Sequence, residues 1–172
     1  MKTLEIIENF YPPVENEPEK ALVSLLKEKN LVVSVAESFT GGNISAKITS
    51  VSGASSVFYE GVVAYNEGAK NARLCVSAQT LQEFKPVSYQ VANQMAQGLL
   101  LNGNAQIGLS TTGIAGPNSD DSNFPVGLCF IGVCFGDKTC VYKYNFSGDR
   151  AEIIKKGVQT ALNLLIFKLK NI

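Results

Sequence analysis

Between Val32 and Lys70 the chain reads VVSVAESFTGGNISAKITSVSGASSVFYEGVVAYNEGAK, and two short apolar runs there stop abruptly in small, polar and reactive side chains. The first run, Leu31 to Ala36, is too short and too β-branched for a stable helix. It ends at Glu37-Ser38-Phe39-Thr40-Gly41-Gly42, after which a helical pattern begins at Asn43. That is a strand, a tight loop and a helix start. Paired glycines there allow close backbone approach to a ligand, and the unpaired N–H groups of a first helical turn attract an anion. Ser38 then stands at the mouth of the loop. An ordinary helix cap by Ser38 or Thr40 is the alternative use of the same residues. The second run, Ser56 to Tyr65, alternates Tyr59, Gly61, Val63 and Tyr65 with Phe58, Glu60, Val62 and Ala64, as a strand does. It stops at Asn66-Glu67-Gly68-Ala69-Lys70. With a helix starting near Glu67, Lys70 falls in the first turn and can fold back beside Tyr65. The dipole disfavours a cation there, so Lys70 is either solvated or held with a lowered pKa as a proton acceptor.

Composition narrows the chemistry. The chain has 172 residues, enough for one core, with fifteen basic and fifteen acidic side chains and no histidine. Zero net charge without charged blocks offers no electrostatic footprint for nucleic acid or an acidic membrane. No apolar run approaches the roughly twenty residues that cross a bilayer, and the N-terminal MKTLEIIENFYPP lacks the layout of a signal peptide, so a soluble cytoplasmic protein is expected. Cys75, Cys129, Cys134 and Cys140 show no CxxC spacing, and neither disulfides nor a metal is expected. Without imidazole, Ser-His-Asp and Cys-His catalysis are excluded, and a nucleophile must be activated by lysine, tyrosine or a carboxylate.

Along the chain, residues 1–17 read as an arm or short helix packing on the body or on a neighbouring subunit, and residues 18–172 as a single domain. Ala21, Leu22, Leu25 and Leu26 mark an amphipathic helix over Pro18–Lys29, with proline in its first turn. Ser77 and Ser88 read as caps of two further helices, the second ending near Asn102-Gly103. A third strand, Ala105–Thr111, ends in Thr111-Thr112-Gly113-Ile114-Ala115-Gly116-Pro117, a second loop suited to lining a pocket with hydroxyls and backbone N–H groups. Asn118–Phe124 is expected to be mobile. Gly127–Phe135 and Lys138–Phe146 form a hairpin through Gly136-Asp137, the second strand being polar enough for a sheet edge. Arg150 opens the last helix, Ala151 to about Lys168, beside Asp149, which is also a natural cap. Strands alternating with helices, then a hairpin and a long helix, fit a three-layer α/β/α fold with a mixed sheet, in which ligands bind at the carboxyl ends of strands.

The strings AESFTGG, VSGASSVFYEGVVAYNEGAK, LSTTGIAGP and PVGLCFIG, in this order, resemble the C-terminal domain of the competence/damage-inducible protein CinA. The likeness runs from about Pro18 to the C-terminus. Members of that family are nicotinamide-nucleotide amidohydrolases, so the resemblance implies hydrolysis of the carboxamide of nicotinamide mononucleotide, with a small nucleotide as partner. By motif position the implied catalytic residues are Ser38 as nucleophile with Tyr65 and Lys70. The residues leave open whether the amine or the phenol takes the serine proton. Glu37 would orient the lysine or the ribose hydroxyls, and Asn66 joins the substrate-facing set. Backbone N–H groups around Thr40, Gly41 and Gly42 would bind an oxyanion or phosphate, and Thr111, Thr112 and Gly113 would position substrate. The family's Gly-Asp-Arg motif implies that Arg150 meets a phosphate or a carboxylate. No cofactor or metal is implied. The sequence departs from the family pattern at Phe39 and Phe124, where cysteine and lysine are usual, and in the second arginine usual one turn after Arg150, where the nearest cation is Lys155. Those departures support another reading, a non-catalytic nucleotide-binding or assembly module, and a third, an amidase for another small amide, keeps the chemistry and changes the ligand. An exposed apolar edge and the N-terminal arm favour a homo-oligomer, a dimer first.

Overall fold

Val33 to Glu37 is buried at every position, as a strand covered on both faces must be. In the computed structural model, which describes residues 3–119 and 123–172, it is the second strand of a six-stranded mixed sheet. The elements are β1 (Thr3–Glu8), α1 (Pro18–Lys29), β2 (Val33–Glu37), α2 (Asn43–Thr49), β3 (Phe58–Val63), α3 (Glu67–Leu74), α4 (Ala78–Phe84), α5 (Tyr89–Gly98), β4 (Ile107–Gly113), β5 (Leu128–Phe135), β6 (Lys138–Asn145) and α6 (Arg150–Lys170). A single 3-10 turn, Ala54–Ser56, leads into β3. The sheet order is β1-β6-β5-β4-β2-β3. β2 runs parallel to both β3 and β4, β5 is antiparallel to β4 and β6, and β1 is parallel to β6. The carboxyl ends of β2, β3 and β4 therefore share one end of the sheet.

Helices α1, α2 and α6 cover one face and α3 to α5 the other, giving the three layers expected. Under the first set lies the larger core, with Leu22, Leu26, Val35, Ile44, Leu109, Ile131 and Leu165. The second core joins Ala36, Ala64, Leu74, Val91, Met95 and Leu99. Pro18 sits at the start of α1, and Ser77 and Ser88 cap α4 and α5 through Thr80 N–H and Val91 N–H. Among the described residues no helix is long and apolar enough to cross a membrane.

Three expectations need correction. Residues 3–8, expected within an arm or short helix packed on the body or on a neighbouring subunit, pack on the body as strand β1, hydrogen-bonded along β6 from Thr3↔Lys138 to Glu8↔Lys143. Glu8 is tied down by the Tyr89 hydroxyl and by Lys143 Nζ at 3.1 Å. Consequently β6 is an inner strand, and the sheet edges are β1 and β3. Helix α5 ends at Gly98, several residues before Asn102-Gly103, and passes into turns. The stretch expected to be mobile, Asn118–Phe124, includes residues 120–122, which lie outside the described residues.

Candidate active site

Lys70 is a charged residue with only 2% of its surface exposed, and its amine ties the loop after β2 to the loop after β3. Asn66 caps α3 by accepting from Ala69 N–H at 2.8 Å, which fixes the helix start and turns the fourth residue inward. Lys70 Nζ donates to Ser38 Oγ at 2.9 Å and to the carbonyl of Ala64 at 3.0 Å. No carboxylate forms an ion pair with it among the described residues. Burial therefore dominates its titration, drawing the pKa from 10.5 down to about 8 against a smaller opposing pull from Glu67. At pH 7 roughly a tenth of the amine is then neutral, directly beside a serine hydroxyl.

Ser38 is itself 7% exposed and held by the loop after β2. Its N–H donates to Thr111 carbonyl at 3.0 Å, and its carbonyl accepts from Gly41 N–H at 3.0 Å. Gly41 and Gly42 take φ of 61° and 94°, a region costly for residues with a Cβ, so the glycines make the turn possible. Phe39 packs its ring against Gly157 of α6, where an added Cβ would come within 2.5 Å of ring carbons. The Thr40 and Thr111 hydroxyls bond each other at 2.8 Å in full burial, joining the first and third loops.

Glu37 sits elsewhere than sequence reasoning expected. Its carboxylate is fully buried and turned onto the start of α2, accepting from Gly42 N–H (3.1 Å), Ile44 N–H (3.0 Å), Ser45 N–H (2.8 Å) and Ser45 Oγ (2.7 Å). The anion site of that helix is thus filled by the chain's own carboxylate, and Gly42 N–H is engaged. The N–H groups of Phe39 and Thr40, directly after the serine, carry no bond among the described residues.

Ser38 and Lys70 border a hollow of about 260 Å³ that is also lined by Tyr65, Thr112, Gly113 and Arg150. Thr112 spends its hydroxyl on Pro86 carbonyl at 2.7 Å, while Thr111 and Asn66 are absent from the lining. Tyr65 does not bond Ser38 or Lys70. Its hydroxyl accepts from Arg150 Nη2 at 2.7 Å, and Arg150 Nη1 donates to Gly116 carbonyl at 2.6 Å. Arg150 therefore spans the rim between two loops, and it has no carboxylate partner among the described residues. Asp149 places it through a complete capping box with Glu152. Sequence reasoning missed Pro86, Val87, Asn118 and Ser119 as lining and the Ala64 carbonyl as the second anchor of the lysine. Nothing in their residue types marks them. A larger groove of about 810 Å³ lies between α1, α2 and α6, without the serine or the buried lysine.

Residues 15–169 match the family model of the CinA C-terminal domain. The chain is 48% identical over 147 residues to a provisionally named competence-damage inducible protein of Caldicellulosiruptor saccharolyticus, covering 86% of this chain and 36% of that protein. It is 41% identical over 158 residues to a CinA-like protein of Kosmotoga olearia, covering 92% and 38%. The chain spans less than half the length of these relatives. Among solved structures it is similar to a CinA superfamily protein of Klebsiella pneumoniae, with TM-score 0.88 at 26% identity, covering 92% of this chain and 100% of that one. It is also similar to the competence/damage inducible protein CihA of Agrobacterium tumefaciens, with TM-score 0.84 at 34% identity, covering 92% and 98%. With motif order, fold and match in agreement, the chain belongs to the CinA C-terminal domain family.

Proposed function

We propose that the chain hydrolyses a carboxamide through a serine–lysine pair, and that the substrate is nicotinamide mononucleotide, giving nicotinic acid mononucleotide and ammonia. The observation that carries the reading is the buried amine of Lys70 at 2.9 Å from Ser38 Oγ, with its pKa drawn down to about 8, on the border of a hollow. Geometry and titration then suit the same task.

Neutral Lys70 takes the Ser38 hydroxyl proton as Oγ attacks the amide carbon. Negative charge builds on the carbonyl oxygen, and the unengaged N–H groups of Phe39 and Thr40 are the donors closest in sequence to receive it. Protonated Lys70 then delivers the proton to the amide nitrogen, the C–N bond breaks and ammonia leaves, with the acyl group on Ser38. A water gives a proton to Lys70 as its oxygen attacks the ester, then Lys70 passes that proton to Oγ as the C–Oγ bond breaks, releasing the acid, which ionises, and restoring the serine and the neutral amine. The Ala64 carbonyl holds the amine in line through both half-reactions. Arg150, whose guanidinium is met among the described residues by a phenol and a carbonyl, is the group that binds the substrate phosphate, and Tyr65 orients it.

Incubating the purified protein with nicotinamide mononucleotide and measuring ammonia tests the reading, with Ser38→Ala and a panel of other small amides run beside it. Release by the parent and not by Ser38→Ala supports it. Release only from other amides keeps the chemistry and changes the ligand, and binding without release indicates a non-catalytic module.

A further inference from the structure

Lys70 lines the hollow, and two bonds fix its nitrogen, to Ser38 Oγ at 2.9 Å and to the Ala64 carbonyl at 3.0 Å. The third N–H of the ammonium form has no acceptor among the described residues. Arg150 is the other charged side chain of the lining, so among the described residues the hollow carries two cationic groups and no carboxylate. Such surroundings favour any change that trades positive charge for negative. Pro86, Val87, Ile114 and Ala115 make much of the remaining wall apolar, which suits entry of a small uncharged molecule. The space is ample, since about 260 Å³ is several times the roughly 30 Å³ that one water takes in the liquid. With its pKa drawn down to about 8, the amine is closer to chain α-amino groups, at about 7.7–8.0, than to exposed lysines. Its neutral form has a lone pair free to attack an electrophilic carbon.

We propose that Lys70 is a carbamylation site that takes up dissolved carbon dioxide. The neutral Nζ attacks the carbon, an N–C bond forms, one C–O π bond opens to give the carboxylate, and the proton displaced from nitrogen leaves to solvent. No oxidant or second reactant is needed, and loss of carbon dioxide reverses the step. Each present contact has a use in the product. The N–H that remains keeps the Ala64 carbonyl as its acceptor. Ser38 Oγ, which now accepts from the amine, turns its own proton toward a carbamate oxygen. The other oxygen faces the hollow and the field of Arg150. The consequence for turnover rests on the proposed function, whereas the modification does not. A carbamate nitrogen has its lone pair delocalised and no longer takes the serine proton, and the new group fills space through which the amide carbon must approach Oγ. Carbon dioxide is then a reversible inhibitor sensed by the amine that performs the chemistry.

Equilibrating the purified protein with carbon-13 bicarbonate at about pH 8.5, where most of an amine of this class is neutral, tests the site without reference to activity. Trapping with a trialkyloxonium salt followed by peptide mass mapping should place the label on the Lys70 peptide, with the α-amino group of the chain as internal control. In carbon-13 NMR the parent should show a carbamate resonance that Lys70→Met lacks and that purging with nitrogen removes. Label on the α-amino group and none on Lys70 overturns the inference. Should Lys70→Met misfold, the mapping decides, since it uses the parent alone. Ammonia release from nicotinamide mononucleotide at fixed pH and ionic strength should fall at least about twofold as bicarbonate rises from about 1 to about 50 mM, and recover on purging. Release that ignores bicarbonate while Lys70 carries the label overturns the inhibitory role. A parent inactive at every bicarbonate level speaks against the proposed function and leaves the mapping result to decide the modification.

Discussion

A buried lysine amine costs stability, and the protein keeps one, with no carboxylate paired to it among the described residues, 2.9 Å from a serine hydroxyl. The sign of that cost is measurable. With the folded pKa near 8 and the unfolded value at 10.5, the unfolded chain holds more protons between those limits, so stability rises as pH climbs through that window. Denaturant titrations at pH 7.5 and 10 should show this rise in the parent and its loss in Lys70→Met. Activity should follow the same group: kcat/KM increases with pH to a plateau with an inflection near 8, and Lys70→Ala lowers it about 10²–10⁴-fold. Tyr65→Phe removes the acceptor of one Arg150 bond and leaves the serine and lysine untouched. Steady-state kinetics should therefore show KM raised about tenfold with kcat nearly unchanged. A large fall in kcat would instead return Tyr65 to proton transfer. At this scale the sequence singled out Ser38 and Lys70 as candidates because reactive side chains at strand ends stand out, and the fold brings the two within 2.9 Å. It misdirected Glu37, because a carboxylate just upstream of a helix has two uses, ligand contact or cap, and the backbone donors of Gly42, Ile44 and Ser45 at the start of α2 win it. The Ala64 carbonyl was illegible, since every residue has one.

Helix α6 connects the elements to the hollow. Its capping box at Asp149 and Glu152 sets the first turn from which Arg150 reaches Gly116 and Tyr65. Asp149→Ala should cost about 1 kcal/mol in thermal or chemical denaturation. It should also raise KM more than the same loss at a distant cap such as Ser77. Two turns on, Gly157 lets α6 close on Phe39, and Gly157→Ala should destabilise by about 1–3 kcal/mol because its Cβ would fall 2.5 Å from the ring. Periodicity placed the helices and strands well wherever one face is apolar, from Leu22 and Leu26 of α1 to Val158 and Leu162 of α6. It failed for β1, whose residues are exposed but for a half-buried Ile7, so that no alternation marks it. Pairing with β6 makes it a strand, and that partner lies more than a hundred residues away in sequence. Polar Lys143 and Asn145 made β6 look like an edge, which β1 in fact covers.

Across the whole molecule, one topological fact assembles the site: β3, β2 and β4 are parallel, so the loops after Glu37, Val63 and Gly113 open at the same end. Strand–loop–helix alternation in the sequence implied this end, and the class of fold followed from it. The sheet order and the crossing of Arg150 over the rim depend on side-chain packing between distant segments, which no local pattern encodes. The account stands on the pairing of a serine with a lysine of lowered pKa, and one measurement addresses it most directly: the pH dependence of ammonia release from nicotinamide mononucleotide by the parent and by Ser38→Ala. The parent should release ammonia with an inflection near pH 8, and Ser38→Ala should be slower by at least about 10⁴-fold at every pH. Release from Ser38→Ala at the parent rate, or a parent profile flat from pH 6 to 10, would contradict it.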